Sequence, residues 1–337
     1  MSLSVRVGRR LALTMLSVFL VFTLAFAFVA LTPDPNVNRV RFGAAQTCQG
    51  SSEERVECIE EQITAYRQAN DLDVPVVDRY ARWLGAMVTF DWGVSTSNGA
   101  PVVETIVLRL PYTLAYVVPS MLLSAAGGVA VGVWLALRSG GRLDRLGTAF
   151  TYLGYAVPNF WLAALLLWFA DAPHLVLGHL VDVAPYVSFG DPLFEVGTLA
   201  KLALPTAVLS TTLFASQLRY TRAETLEHLG TDLVTQLRAY GIGDRGVARH
   251  LLRLSAPLLL SLFVVDLFSV LVVAVFVLEY VFDLPGFGSL AYGAIVGRDV
   301  PMLLGTTMVI AIVGVLGHTL SDLATLALDP RTREGEL

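Results

Sequence analysis

Charge is what this sequence has least of. Only 15% of its 337 residues are Asp, Glu, Lys or Arg, against roughly 25% in an ordinary soluble domain. Among the 23 basic residues Lys201 is the single lysine. Two cysteines, Cys48 and Cys58, are too few for a disulfide-built scaffold or for a zinc site closed by cysteine alone. A net charge of −5 speaks against a nucleic-acid binder, which carries a basic patch or stripe. There is no G-x-x-x-x-G-K-[ST] phosphate loop, no G-x-G-x-x-G after a strand, no H-E-x-x-H and no G-x-S-x-G, so no ATPase, dehydrogenase, metalloprotease or serine hydrolase is written here. No soluble catalytic domain is visible, and no cofactor or metal is expected on the chain itself.

What fills the vacancy is apolar. The sequence is 55% hydrophobic with a mean hydropathy of +0.65, too little polar surface for a soluble body and too much apolar content for disorder. A membrane-crossing helix needs about 20 mostly apolar residues. Six stretches qualify: 11–33, 110–137, 146–170, 202–218, 254–278 (interrupted only by Asp266) and 300–321. The first follows Arg6, Arg9 and Arg10 but outruns a signal-peptide core and lacks a clean cleavage site, so it reads as a retained helix.

Basic residues in short loops mark the cytoplasmic side. Arg138, Arg142 and Arg145 follow the second run, and residues 219–256 hold six arginines. By contrast, 171–198 hold four acids and no base. These loops predict six spans with both termini inside, an all-α integral membrane protein with a long extracytoplasmic loop after span one. Cys48 and Cys58 fall in that loop, where oxidation is permitted; they read either as a bridge or as two thiols beside a helix over 53–68.

The 219–256 loop is the most informative segment. Leu226, Leu229, Leu233, Leu237 and Tyr240 recur at helical spacing on one face. The face ends at Gly241, a residue free to turn the chain left-handed, and a second short helix is expected over 247–254 before Pro257. By periodicity alone the segment is either an amphipathic connector on headgroups or a helix-turn-helix at the inner surface.

The order of residues resembles a known pattern. Arg219-Tyr220, Arg222-Ala223, Leu226-Glu227, Leu229-Gly230, Asp232, Arg238-Ala239 and Gly241, then Arg249-His250 and Arg253, follow the cytoplasmic motif of ABC-importer permeases, specifically the B-type subunit of the dipeptide, oligopeptide and nickel family. Arg82-Trp83-Leu84-Gly85, Asp91-Trp92-Gly93 with Ser95, Val157-Pro158-Asn159-Phe160-Trp161-Leu162, Glu279-Tyr280-Val281-Phe282 before Pro285-Gly286-Phe287-Gly288, Arg298-Asp299-Val300-Pro301 and Leu328-Asp329-Pro330-Arg331 match further segments in order. The lysine of the family's A-R-A-K-G is here Tyr240.

The resemblance implies a type I importer fold: cytoplasmic N-terminus 1–10, first helix 11–33, extracytoplasmic loop 34–109, a five-helix core 110–328 with coupling loop 219–256, and tail 329–337. It implies no catalysis on this chain, a second (C-type) permease subunit, two ABC ATPase subunits that bind ATP and Mg, an extracytoplasmic substrate-binding protein, surrounding lipid, and di- or oligopeptide as cargo. Nickel or glutathione is the rival cargo; an ion-driven secondary transporter is the rival class, weakened by having one ionisable residue deep in a span. The coupling residues implied are Leu237, Arg238, Ala239, Tyr240, Gly241, Arg245, Arg249 and His250. From position alone, Asp266 is the candidate path residue or a packing residue; Asn159, next to Pro158, and Gln217 are weaker path candidates.

Overall fold

The computed structural model describes residues 3–32, 34–170 and 187–328. The expected tail 329–337, and residues 171–186 of the acid-rich loop, lie outside the described residues. Thirteen α-helices and one π-helical turn account for most of the rest: α1 Leu3–Leu31, α2 Pro35–Thr47, α3 Ser52–Ala69, α4 Val76–Val88, α5 Val102–Leu137, α6 Arg142–Ala156, α7 Asn159–Ala170, α8 Val196–Leu229, α9 Asp232–Ala239, α10 Asp244–Ser269, the π turn Val270–Ala274, α11 Val275–Val281, α12 Phe287–Gly297 and α13 Val300–Leu328. Among the described residues the only β pairing is an isolated bridge, Val94 with Pro101. In apolar surroundings a helix is the element that satisfies its own backbone, and five helices (α1, α5, α8, α10 and α13) are long and apolar enough to cross a membrane.

The third apolar run departs from the expectation of one uninterrupted span. It is two helices, α6 and α7, bent by 93°. Pro158 sits at the break, where it biases Val157 to an extended conformation; Val157 has ψ 114°. The pair makes a sixth span only if counted together.

The helices form two compact units, one of residues 1–14, 107–292 and 312–337, the other of 15–106 and 293–311. In the first, Tyr112, Tyr116, Leu209, Leu213, Val275, Leu278 and Phe282 make the core. A Cβ on Gly132 of α5 would lie 2.8–2.9 Å from Thr221 Cβ and the Leu218 carbonyl of α8, the small-residue approach that helices use where no hydrophobic effect drives them together. Arg10 pairs with Asp322 at 2.8 Å and Thr14 meets Thr319 at 2.7 Å, so the start of α1 lies beside the end of α13.

In the second unit, Phe22 and Phe26 of α1 pack on Trp83 and Tyr80 of α4 with ring centroids 5.2–6.0 Å apart. Asp34 caps α2 by accepting from the Asn36 N–H at 2.8 Å, and Ser51 with Glu54 forms a reciprocal capping box on α3, the arrangement that satisfies two orphan donors at once. A Cys48–Cys58 disulfide ties α3 to the end of α2. Tyr66 donates to Asp34 at 3.0 Å; burial and the Asp34 charge push its phenol up to about 12, so it remains a donor.

Candidate functional site

Two assemblies in the first unit carry the candidate residues. One is a cavity of about 360 Å³ where the end of α6, the start of α7, α8 and the end of α10 meet. Asp266 and Asn159 both line it, with Tyr155, Thr212, Ser216 and Ser269 as further polar walls. The bend at Pro158 is what sets Asn159 there: its Oδ1 accepts from the Thr212 hydroxyl at 2.6 Å. Gln217 does not line the cavity. It is buried and donates to Asp266 Oδ2 at 2.9 Å, while Ser216 donates to Oδ1 at 3.3 Å and receives Tyr155 at 3.4 Å. Among the described residues no cation pairs with Asp266. The helix changes to a π turn four residues later, and π turns recur beside functional sites.

The other assembly is the 219–256 segment, which differs from expectation in three ways. The apolar face is not one helix: α8 runs on to Leu229 and ends at Gly230, and α9 starts again at Asp232. The expected short helix over 247–254 is instead the first part of α10, which passes through Pro257 unbroken. Leu237 turns inward, where it packs with Val234, Val247 and Leu251, so it holds the module together rather than offering an outer anchor. Tyr240 is 84% exposed and is the outward aromatic.

The turn between α9 and α10 follows from Gly241. Its φ is +77°, a conformation that costs other residues about 1–2 kcal/mol. The Gly241 N–H donates to the Arg238 carbonyl at 2.9 Å and the Ile242 N–H to the Leu237 carbonyl at 3.0 Å, the paired bonds of a Schellman stop, with Ile242 against the module core. A Cβ there would meet nothing within 4 Å, so the glycine is required by its dihedral and not by space. Arg238, Ala239, Tyr240, Gly241, Arg245, Arg249 and His250 all remain exposed. Arg238 and Asp244 approach at 3.8 Å across the turn.

Three buried acids carry local structure that the sequence reading assigned no role. Asp144 receives Arg222 through two bonds of 2.6 and 2.9 Å and the Gly140 N–H at 3.0 Å; the Arg222 guanidinium holds its carboxyl below the usual range. Arg222 thereby fastens the start of α6 and the turn at Gly140 to α8. Glu279 is fully buried. It accepts from the Thr113 hydroxyl at 2.5 Å, the Tyr116 hydroxyl at 3.3 Å and the Ser289 N–H at 2.8 Å, closing the Pro285–Gly288 turn onto α5. Asp299, in the second unit, accepts from the Ser95 hydroxyl at 2.5 Å and from the Thr96, Ser97 and Met302 N–H groups at 3.2 Å each. Burial raises its pKa, but these four donors outweigh that and leave it lowered. The signal for Glu279 and Asp299 was their place inside motif segments; what their carboxylates grip lies 166 and 204 residues away.

Comparison with known proteins places this geometry. A family model described as "Binding-protein-dependent transport system inner membrane component" matches residues 128–334. The dipeptide transport system permease protein DppB of Lactococcus lactis subsp. cremoris is 27% identical over 327 residues, 96% of this chain and 98% of that protein. A probable peptide ABC transporter permease of Sinorhizobium fredii is 30% identical, covering 81% of this chain and 86% of its own. The oligopeptide transport system permease protein AppB of Bacillus subtilis is also 30% identical, over 77% and 81% respectively.

Proposed function

We propose that this chain, which belongs to the family of binding-protein-dependent transport system inner membrane components, forms half of the translocation path of an ATP-driven importer of di- or oligopeptides. The chain is a multi-pass protein of the cell membrane. Its partners are a second permease subunit, two ATPase subunits that hold ATP and Mg, and an extracytoplasmic substrate-binding protein. The peptide assignment follows the relatives named above.

The observation that carries the reading is the outward face of the α9–α10 module. A four-residue core of Val234, Leu237, Val247 and Leu251 holds a module on which Tyr240, Arg238, Arg245 and Arg249 are all exposed. An exposed aromatic and exposed guanidinium donors on one short module are the residue types of a hot-spot contact, suited to a groove of an ATPase. The contact of Arg10 with Asp322 puts the start of α1 beside the end of α13, which supports an even number of crossings with α6 and α7 counted as one span; the arginine-rich short loops support the cytoplasmic side for both. Asp266 faces the path, where its carboxylate meets the ammonium of a peptide.

The test is reconstitution of the complete transporter in proteoliposomes. Gly241→Glu and Tyr240→Ala insert normally but lose substrate-stimulated ATP hydrolysis by tenfold or more. Normal coupled hydrolysis by both variants refutes the assignment of this face.

A further inference from the structure

We propose that a chamber in the second unit binds an anionic phospholipid, with the headgroup phosphate held by Arg67, Arg79 and Arg298. The chamber is about 780 Å³, within the ~300–1,000 Å³ range of small-molecule sites. Its apolar walls come from the last turns of α1 and the first of α13, among them Val29, Val300, Leu303 and Leu304. Its cations come from elsewhere: Arg67 from α3, Arg79 from α4 and Arg298 from the turn before α13. The split follows the chain, since the apolar run of α1 stops at Thr32 and that of α13 begins at Val300. One side of the chamber is therefore built from spanning helices and the other from the polar segment that follows α1. An occupant must be apolar at one end and anionic at the other.

The three arginines make no ion pair among the described residues. The chamber's one acid, Asp34, is already engaged by the Asn36 N–H and the Tyr66 hydroxyl. Three guanidinium groups without an ion-pair partner suit a phosphate diester, which arginine binds through paired hydrogen bonds. Arg298 also sits at φ +53°, a conformation in which glycine is free of strain; the chain keeps a cationic side chain at a position that favours none.

The test is native mass spectrometry of the full chain released from nanodiscs of equal phosphatidylglycerol and phosphatidylcholine. The expected result is a retained phosphatidylglycerol, at least fivefold over phosphatidylcholine. Arg79→Gln lowers that retention at least fivefold. Arg298→Gly lowers it similarly while its melting temperature holds or rises, because glycine relieves the backbone; loss of lipid there cannot be misfolding. Equal retention of the two lipids overturns the proposal, as does undiminished phosphatidylglycerol on both variants. Glycerophosphoglycerol competing as tightly as the lipid overturns it in favour of a free-anion site. Exclusion of the lipid on assembly with the second permease overturns it in favour of a protein interface. None of these readouts depends on transport, so they stand apart from the importer reading.

Discussion

Replacing Asp299 by alanine removes the acceptor of four hydrogen bonds, and the structure says which matter. The Thr96 and Ser97 amides belong to exposed residues, so water takes over as their acceptor at little cost. The Ser95 hydroxyl and the Met302 N–H belong to buried residues, 4% and 2% exposed, and a buried donor left without a partner costs about 1–3 kcal/mol. The expected loss is about 3–5 kcal/mol, local to the 93–102 loop and the first turn of α13. Hydrogen exchange on the membrane-embedded protein reads it directly: the Met302 amide exchanges at least about 100-fold faster, at roughly 1.4 kcal/mol per tenfold. Asp299→Asn keeps one acceptor but turns an NH2 toward the donors, and recovers less than half of the protection. Acid gives a second readout. Because the folded pKa of Asp299 is lowered, its stabilisation is complete above the ordinary carboxylate value and disappears as pH falls through the lower folded one. Wild type therefore loses protection only on the acid side, and the alanine variant lacks that limb. Wild-type exchange at Met302 in Asp299→Ala would show that the carboxylate is not what holds this corner.

Other expectations concern single contacts. Arg222→Ala leaves Asp144 buried without its bidentate partner, costing about 3 kcal/mol; a lowered melting temperature and new protease cleavage near Arg142 are the readouts. Gly241→Asn retains near-normal coupled ATP hydrolysis because asparagine tolerates a positive φ, whereas Gly241→Val, with no steric neighbour, loses it through the dihedral alone. Reducing Cys48–Cys58, which spans 10 positions, frees about 2–3 kcal/mol of chain entropy. It should raise exchange in α2 and α3 and leave α9 and α10 unchanged.

The apolar runs were legible because their composition is unmistakable, and the helix over 53–68 because its composition is helix-like; the capping box that starts it was not read from the sequence. The stop at Gly241 was legible for the same reason: one residue type answers one backbone need. Prolines were less transparent. Pro158 divides its run, yet Pro111, Pro119, Pro205 and Pro257 lie inside unbroken helices, because neighbouring packing decides whether a lost N–H is tolerated. Periodicity also placed Leu237 and Tyr240 on one face, but the helix ends at Ala239, before Tyr240, so Leu237 is buried while Tyr240 faces outward. The grips of Glu279 on Thr113 and of Asp299 on Ser95 were out of reach, since nothing local announces a partner so distant in sequence.

The continuity of α10 has a mechanical consequence. One helix runs from Asp244, at the exposed turn, to Asp266, on the cavity wall, a separation of 22 positions or about 33 Å. A ten-degree pivot about either end swings the other by about 6 Å, as much as a full helical turn's rise. In the proposed coupling, a push at the exposed turn reaches the carboxylate with no loop in between to absorb it.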